Sequence, residues 1–124
     1  MTAPQTAMRN EAARACAATL DQKFFKAFSE PARVAAFREV VLLGRADIGA
    51  IAERLPQDRS VVSRHLQVLA DADVLLATKD GRRTLYEVNA PGIARKLEEM
   101  LEVTRQLDAA ARQMKDSRRA PRKG

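Results

Sequence analysis

Near Leu75 the hydrophobic period of this chain changes from that of a helix to that of a strand, directly after two short helical segments. Leu75 to Lys79 alternates as a strand, Asp80-Gly81 is a strong two-residue hairpin signal, and Arg82 to Val88 reads as the return strand. Upstream, Asp47 is placed to cap a short helix through Ile48, Ile51 and Leu55. Pro56 and Gln57 then make a tight turn, and Asp58 caps a helix whose Val62, Leu66 and Leu69 face inward, flanked by Val61 and Val68. Two short helices joined by a tight turn and followed at once by a hairpin predict a helix-turn-helix with a β-wing.

The flanks are helical. Ala13, Ala17, Leu20, Phe24 and Phe28 recur at threes and fours, predicting a helix from about Met8 to Phe28. Ser29 then reads as an N-cap with Glu30 and Pro31 in the first turn. The helix it opens carries Val34, Phe37, Val40 and Val41 on its apolar face and stops at Gly44. Asn89 and Pro91 open a last long helix with Ile93, Leu97, Met100, Thr104, Leu107, Ala111 and Met114 at heptad-like spacing. That stripe is too long for the small domain before it to cover, and a helix from a second copy is the simplest cover. The expected fold is therefore mainly α with a small β-hairpin. Residues 1–7 are expected to be a flexible N-terminus, 8–112 the DNA-binding and dimerisation domain, and 113–124 a disordered basic tail.

At 124 residues the chain has room for one modest core, and with 46 % apolar residues it is globular in composition. Its net charge of +6 suits a polyanionic partner, yet Lys115, Arg118, Arg119, Arg122 and Lys123, opposed only by Asp116, hold a net four of those charges in the tail. The tail either adds nonspecific, salt-sensitive affinity for DNA or only keeps the chain soluble. Between Leu55 and Ala90 the charges nearly cancel, which predicts a narrow basic strip rather than a broad basic surface. The single Cys16 excludes an intrachain disulfide and fits a reducing cytoplasm. No stretch approaches the ~18 apolar residues of a membrane span, and the first twenty residues do not resemble a signal peptide.

On the second short helix, Arg59, Ser60, Ser63, Arg64 and Gln67 share the face opposite Val62, Leu66 and Leu69. Arginine can form paired bonds to guanine edges and serine can bond bases or phosphates, so this face is the candidate for DNA contact; a solvated polar face is the plain alternative. His65 lies on the flank, where it either reaches a phosphate or is half-buried against the preceding helix. At the wing, Lys79, Arg82 and Arg83 surround the tip and are candidates for phosphate or minor-groove contact, although charged hairpins also resist edge-to-edge aggregation. Tyr86 is expected to be a packing residue with a tethered hydroxyl. Cys16 is either a small apolar core residue or a redox-responsive thiol near its copy in a two-fold dimer.

Three segments resemble the ArsR (SmtB-like) family of bacterial repressors. FKAFSEPARVAAF (Phe25 to Phe37) is similar to its opening FKALSDPTRLRIL, DRSVVSRHLQVLADADVL (Asp58 to Leu75) to SQSTVSRHLKVLREAGLV, and GRRTLYEVN (Gly81 to Asn89) to the wing GRWVYYSLN. The resemblance covers about residues 20–107. It implies a winged helix-turn-helix dimerised through its first and last helices, acting as a repressor on an imperfect inverted repeat until an effector releases it. Where metal-sensing relatives carry ELCVCELA this chain has RADIGAIA, with Asp47 and Gly49 in place of the two cysteines, and its last helix has no His. No metal and no cofactor is therefore expected. Thiol oxidation at Cys16 and a small ligand at the dimer interface are the candidate signals. Asp73 stands where the family has Gly after the recognition helix, a left-handed position that Asp tolerates.

No paired carboxylates with a nucleophile, no phosphate-binding glycine loop and no usable metal cluster point to an enzyme. The rival readings are a winged-helix module for protein–protein contact, and a metal-responsive repressor with non-classical ligands such as Asp47, Glu98 or Glu102.

Overall fold

The computed structural model describes residues 2–20 and 22–118. The elements run α1 (Ala3–Leu20), α2 (Lys23–Ala27), α3 (Pro31–Leu43), β1 (Arg45–Asp47), α4 (Ile48–Ala52), α5 (Arg59–Asp71), β2 (Leu75–Asp80), β3 (Arg83–Val88) and α6 (Ala90–Arg118). They form two compact units, one spanning Gln22–Ala94 and the other Met1–Asp21 with Arg95–Gly124.

The Gln22–Ala94 unit is the winged helix-turn-helix. Ala27, Ala36, Val40, Ile51, Val62, Leu66, Leu69, Val74, Leu75 and Tyr86 are buried in one core, and Ile93 in the first turn of α6 packs on it. In a chain with one tyrosine and no tryptophan, the four phenylalanines stay together. Phe24 meets Phe25 and Phe28 at 5.4 Å, and Phe28 meets Phe37 at 5.1 Å, all edge-to-face, which fastens α2 to α3.

Several junctions are set by short-range chemistry. Asp47 caps α4, its Oδ1 accepting from Ala50 N at 2.9 Å. Gly44 closes α3, its N–H bonded to Val40 O. Asp73, at φ 61, ends α5 in a Schellman turn: Val74 N donates to Leu69 O at 3.1 Å and Asp73 N to Ala70 O at 3.0 Å, while Leu69 and Val74 are both fully buried. The left-handed reading of Asp73 therefore holds.

The sheet has order β1-β3-β2, antiparallel throughout, so the return strand of the wing is central. The three-residue β1 was not expected; it pairs Arg45, Ala46 and Asp47 with Glu87, Tyr86 and Leu85. Ala46, Tyr86 and Leu75 point to the core, and Tyr86 makes no side-chain hydrogen bond among the described residues, so its hydroxyl is not tethered as expected. The hairpin turn also sits one residue later than expected. Asp80 pairs with Arg83, leaving Gly81-Arg82 as the central pair. Only Gly81 of that pair has positive φ, at 64°, the pattern of a type II′ turn with glycine first.

Three features of the first helices differ from the sequence reading. The helix expected from Met8 to Phe28 is two helices, with Gln22 extended at the start of α2. Leu20 is exposed while Phe24 and Phe28 pack on the core, so the apparent single stripe belongs to two axes. Ser29 does not open α3: its Oγ donates to Lys26 O at 2.7 Å, closing α2, and Glu30 is the capping position before Pro31. Val41, assigned to the inner face of α3, is 49 % exposed, because the buried positions are Ala36 and Val40.

The second unit consists of α1 and α6 from Arg95 onward. α1 begins at Ala3 rather than Met8, because Thr2 and Gln5 form a reciprocal capping box: Gln5 N donates to Thr2 Oγ1 at 3.3 Å and Thr2 N to Gln5 Oε1 at 3.1 Å. At the other end α6 runs on to Arg118, so residues 113–118, read as tail, are helical; residues 119–124 lie outside those described. Met8, Glu11, Ala12 and Ala15 of α1 and Gln106, Ala109, Ala110 and Gln113 of α6 line a groove of about 450 Å³. Leu97 and Leu101 on α6 are each 50 % exposed.

Candidate nucleic-acid interface

Helix α5 presents two unlike faces because its apolar residues recur at i, i+4 and i+7. Val62, Leu66 and Leu69 are fully buried, and His65 joins them at 7 % exposure. His65 therefore takes the half of its two readings that places it against the domain, and its ring does not belong to the exposed strip. The pattern contained that signal, since His65 fills the i+3 position of the Val62, Leu66 and Leu69 stripe.

On the opposite face Arg59, Ser60, Arg64 and Gln67 are exposed and Ser63 half-buried. Gln67 spends its amide on Asp71, Nε2 to Oδ1 at 2.9 Å. Arg59 and Arg64 enter no ion pair among the described residues, so their guanidinium groups are free to take an anionic or carbonyl-rich partner.

The wing separates its three cations. Residues alternate across each strand, so Lys79, opposite Thr84, lies on the sheet face that carries Leu75, Tyr86 and Val88 toward the core. Arg82 occupies the turn. Both are exposed and unpaired among the described residues. Arg83 lies on the other face, its Nη2 3.4 Å from Asp80 Oδ2 and its Nη1 3.7 Å from Asp47 Oδ2. Sequence reasoning grouped the three because they are close in the chain; strand alternation and the β1 neighbour split them.

Five acids accompany the five cations between Leu55 and Ala90: Asp58, Asp71, Asp73, Asp80 and Glu87. Asp80 is paired with Arg83, Asp71 with Gln67, and Asp73 sits in the turn that ends α5. The unpaired positive charge of the segment is thus concentrated on Arg59, Arg64, Lys79 and Arg82, a narrow strip along one helix face and the hairpin tip.

One residue that positions the site was read only as a helix start. Asn89 Oδ1 accepts from Gly92 N at 3.1 Å, capping α6, while its Nδ2 donates to Asp73 O at 2.8 Å and its own N to Val74 O at 3.0 Å. One amide thereby ties the end of the wing to the turn that ends α5. Burial pushes the Tyr86 hydroxyl pKa above its ordinary value, since the sheet interior disfavours the phenolate. Cys16 is half-buried on α1 with a free thiol. Among the described residues no group of three or more His, Cys, Asp or Glu is arranged to hold a metal, and no helix is long and apolar enough to cross a membrane.

A short helix, a tight turn, a second helix with a polar outer face and a cation-tipped hairpin against its end define the protein as a winged helix-turn-helix DNA-binding regulator. No family model matches the chain. It is 32 % identical over 88 residues to the HTH-type transcriptional regulator Rv0081 of Mycobacterium tuberculosis, covering 71 % of this chain and 74 % of that protein. It is also similar to the homodimeric winged helix-turn-helix domain of Mb0332 from Mycobacterium bovis, a possible ArsR-family regulator. That match has 27 % identity and a TM-score of 0.56, over 71 % of this chain and 82 % of the other. An ArsR-like regulator from Rhodococcus sp. RHA1 shares the fold at a TM-score of 0.70 and 21 % identity, over 80 % of this chain and 92 % of that one. The chain belongs to the HTH-type transcriptional regulators, and solved structures that share its fold include ArsR-like regulators.

Proposed function

We propose that this regulator is a repressor that binds an inverted-repeat operator as a homodimer. The N-terminal half of α5 enters the major groove, with Arg59 and Arg64 on base edges and Ser60 and Ser63 on bases or phosphates. Lys79 and Arg82 take the flanking phosphates. The observation that carries the reading is the strip of four unpaired cations on α5 and the wing tip, in a segment whose formal charges sum to zero. An interface for another protein would be expected to show apolar anchors, and α5 shows none outside its buried face.

Dimerisation through α1 and α6 is supported by Leu97 and Leu101, which are half exposed along a 29-residue helix, and by the homodimeric state of the Mb0332 domain. An effector ends repression in this reading. For a small ligand, the groove of about 450 Å³ between α1 and α6 lies within the usual size range of ligand sites. Thiol oxidation at Cys16 is the other signal.

The test is a titration of the protein against DNA from upstream of its own gene, beside scrambled DNA, at several salt concentrations. Arg59→Ala and Arg64→Ala should each cost about 1–3 kcal/mol of specific affinity, the value of a paired arginine–guanine contact. If the double variant keeps its preference for the operator, Arg59 and Arg64 do not read the DNA; if the parent chain prefers no DNA, the protein-interaction reading takes over.

A further inference from the structure

The sheet face turned away from the core carries Arg45 and Asp47 from β1, Arg83 and Glu87 from β3 and Asp80 from β2. Arg83 stands directly opposite Asp80 and diagonal to Asp47, in reach of both carboxylates. Asp47 is used twice, since its Oδ1 caps α4 while its Oδ2 faces Arg83. The neighbouring cations Lys79 and Arg82 have no such partners among the described residues.

We propose that Arg83 is a positioning residue of the wing: it neutralises Asp47 and Asp80 and ties the hairpin to the start of α4, and does not itself grip a phosphate. The proposal rests on the DNA-binding reading above. A guanidinium already between two carboxylates has little charge left for a third anion, and a phosphate would have to displace both. Without Arg83, Asp80 beside the Gly81-Arg82 turn and Asp47 beneath it become two uncovered negative charges next to the cations that meet the DNA backbone. Removal of Arg83 therefore weakens binding through repulsion, and repulsion has a signature that removal of a phosphate ligand lacks. It is cured by removing the acids.

The experiment compares the full chain, Arg83→Gln, and the triple variant Asp47→Asn/Asp80→Asn/Arg83→Gln. The side-chain oxygen of Asn can still cap α4, and Asn suits the position before a turn. Arg83→Gln should weaken operator binding about fivefold, in line with two exposed ion pairs of ordinary strength. The triple variant should return to the parent affinity or better. If Arg83 held a phosphate, the triple variant would stay weak and the slope of log K against log salt would become shallower by about 0.9 for each phosphate released, which overturns the proposal. A second readout needs no DNA. In the free protein Arg83→Gln should shift the amide NMR resonances of Ile48–Ala50 along with those of the hairpin. Unmoved α4 resonances overturn the tie between wing and α4, whereas a parent protein that prefers no DNA overturns only the DNA-binding reading.

Discussion

Replacing Gly92 with alanine should destabilise the native protein but stabilise a variant in which Asn89 is already alanine. The Asn89 amide folds back over Gly92 to cap α6 and to reach Asp73 O. A Cβ at position 92 would stand 2.8 Å from Asn89 Cγ and closer still to its Nδ2, so the amide must leave. Its departure forfeits the cap, about 1 kcal/mol, and a bond to a carbonyl that water can reach, about 1 kcal/mol. Against this, Gly→Ala in a helix gains about 1 kcal/mol. Gly92→Ala alone should therefore cost about 1 kcal/mol, and Asn89→Ala alone about 2 kcal/mol, from the same terms. With the amide already gone only the helix gain remains, so Gly92→Ala in the Asn89→Ala background should add about 1 kcal/mol of stability. The assay is urea unfolding of the four proteins followed by circular dichroism at one protein concentration, because association would move the midpoints. An effect of Gly92→Ala with the same sign and size in both backgrounds would refute the reasoning, since the amide would then not occupy that space.

Two further outcomes follow from single positions. At Asp73, φ 61 penalises a β-carbon, so Asp73→Gly should be neutral to slightly stabilising while Asp73→Ala should cost about 1 kcal/mol in the same unfolding assay. At Tyr86 the folded pKa is raised by burial, so the folded state keeps its proton above the pH at which the unfolded chain ionises. Stability from this group is complete below about pH 10, the ordinary tyrosine value, and declines as pH rises toward the folded value. Tyr86→Phe should flatten that alkaline loss without moving the midpoint at neutral pH by much; an unchanged alkaline limb would show that another group is responsible.

The helix-turn-helix and its wing were legible because their signals are local. Asp47 as a cap, the Val62, Leu66 and Leu69 stripe of α5, the stop at Gly44 and the left-handed Asp73 each depend on a few neighbouring residues. The capping box of Thr2 and Gln5 is equally local, yet the sequence reading placed residues 1–7 outside the helix. The polar face of α5 followed from the same periodicity that buried His65. What escaped was everything that required knowing which segments become neighbours. A three-residue strand has no readable period, so β1 exists only because β3 offers it a partner. The stripe running from Ala13 to Phe28 could not reveal that it crosses two axes until Phe24, Phe28 and Phe37 came together. Lys79, Arg82 and Arg83 look alike in the chain, and only strand alternation and the proximity of Asp47 give Arg83 a different task. The sequence by itself determined the order of the two short helices and the wing, the inner and outer faces of α5 and the helix starts at Asp47, Asp58 and Asn89. The tertiary structure decided which charges are spent on one another and which remain free for a partner, because pairing depends on distances between residues far apart in the chain.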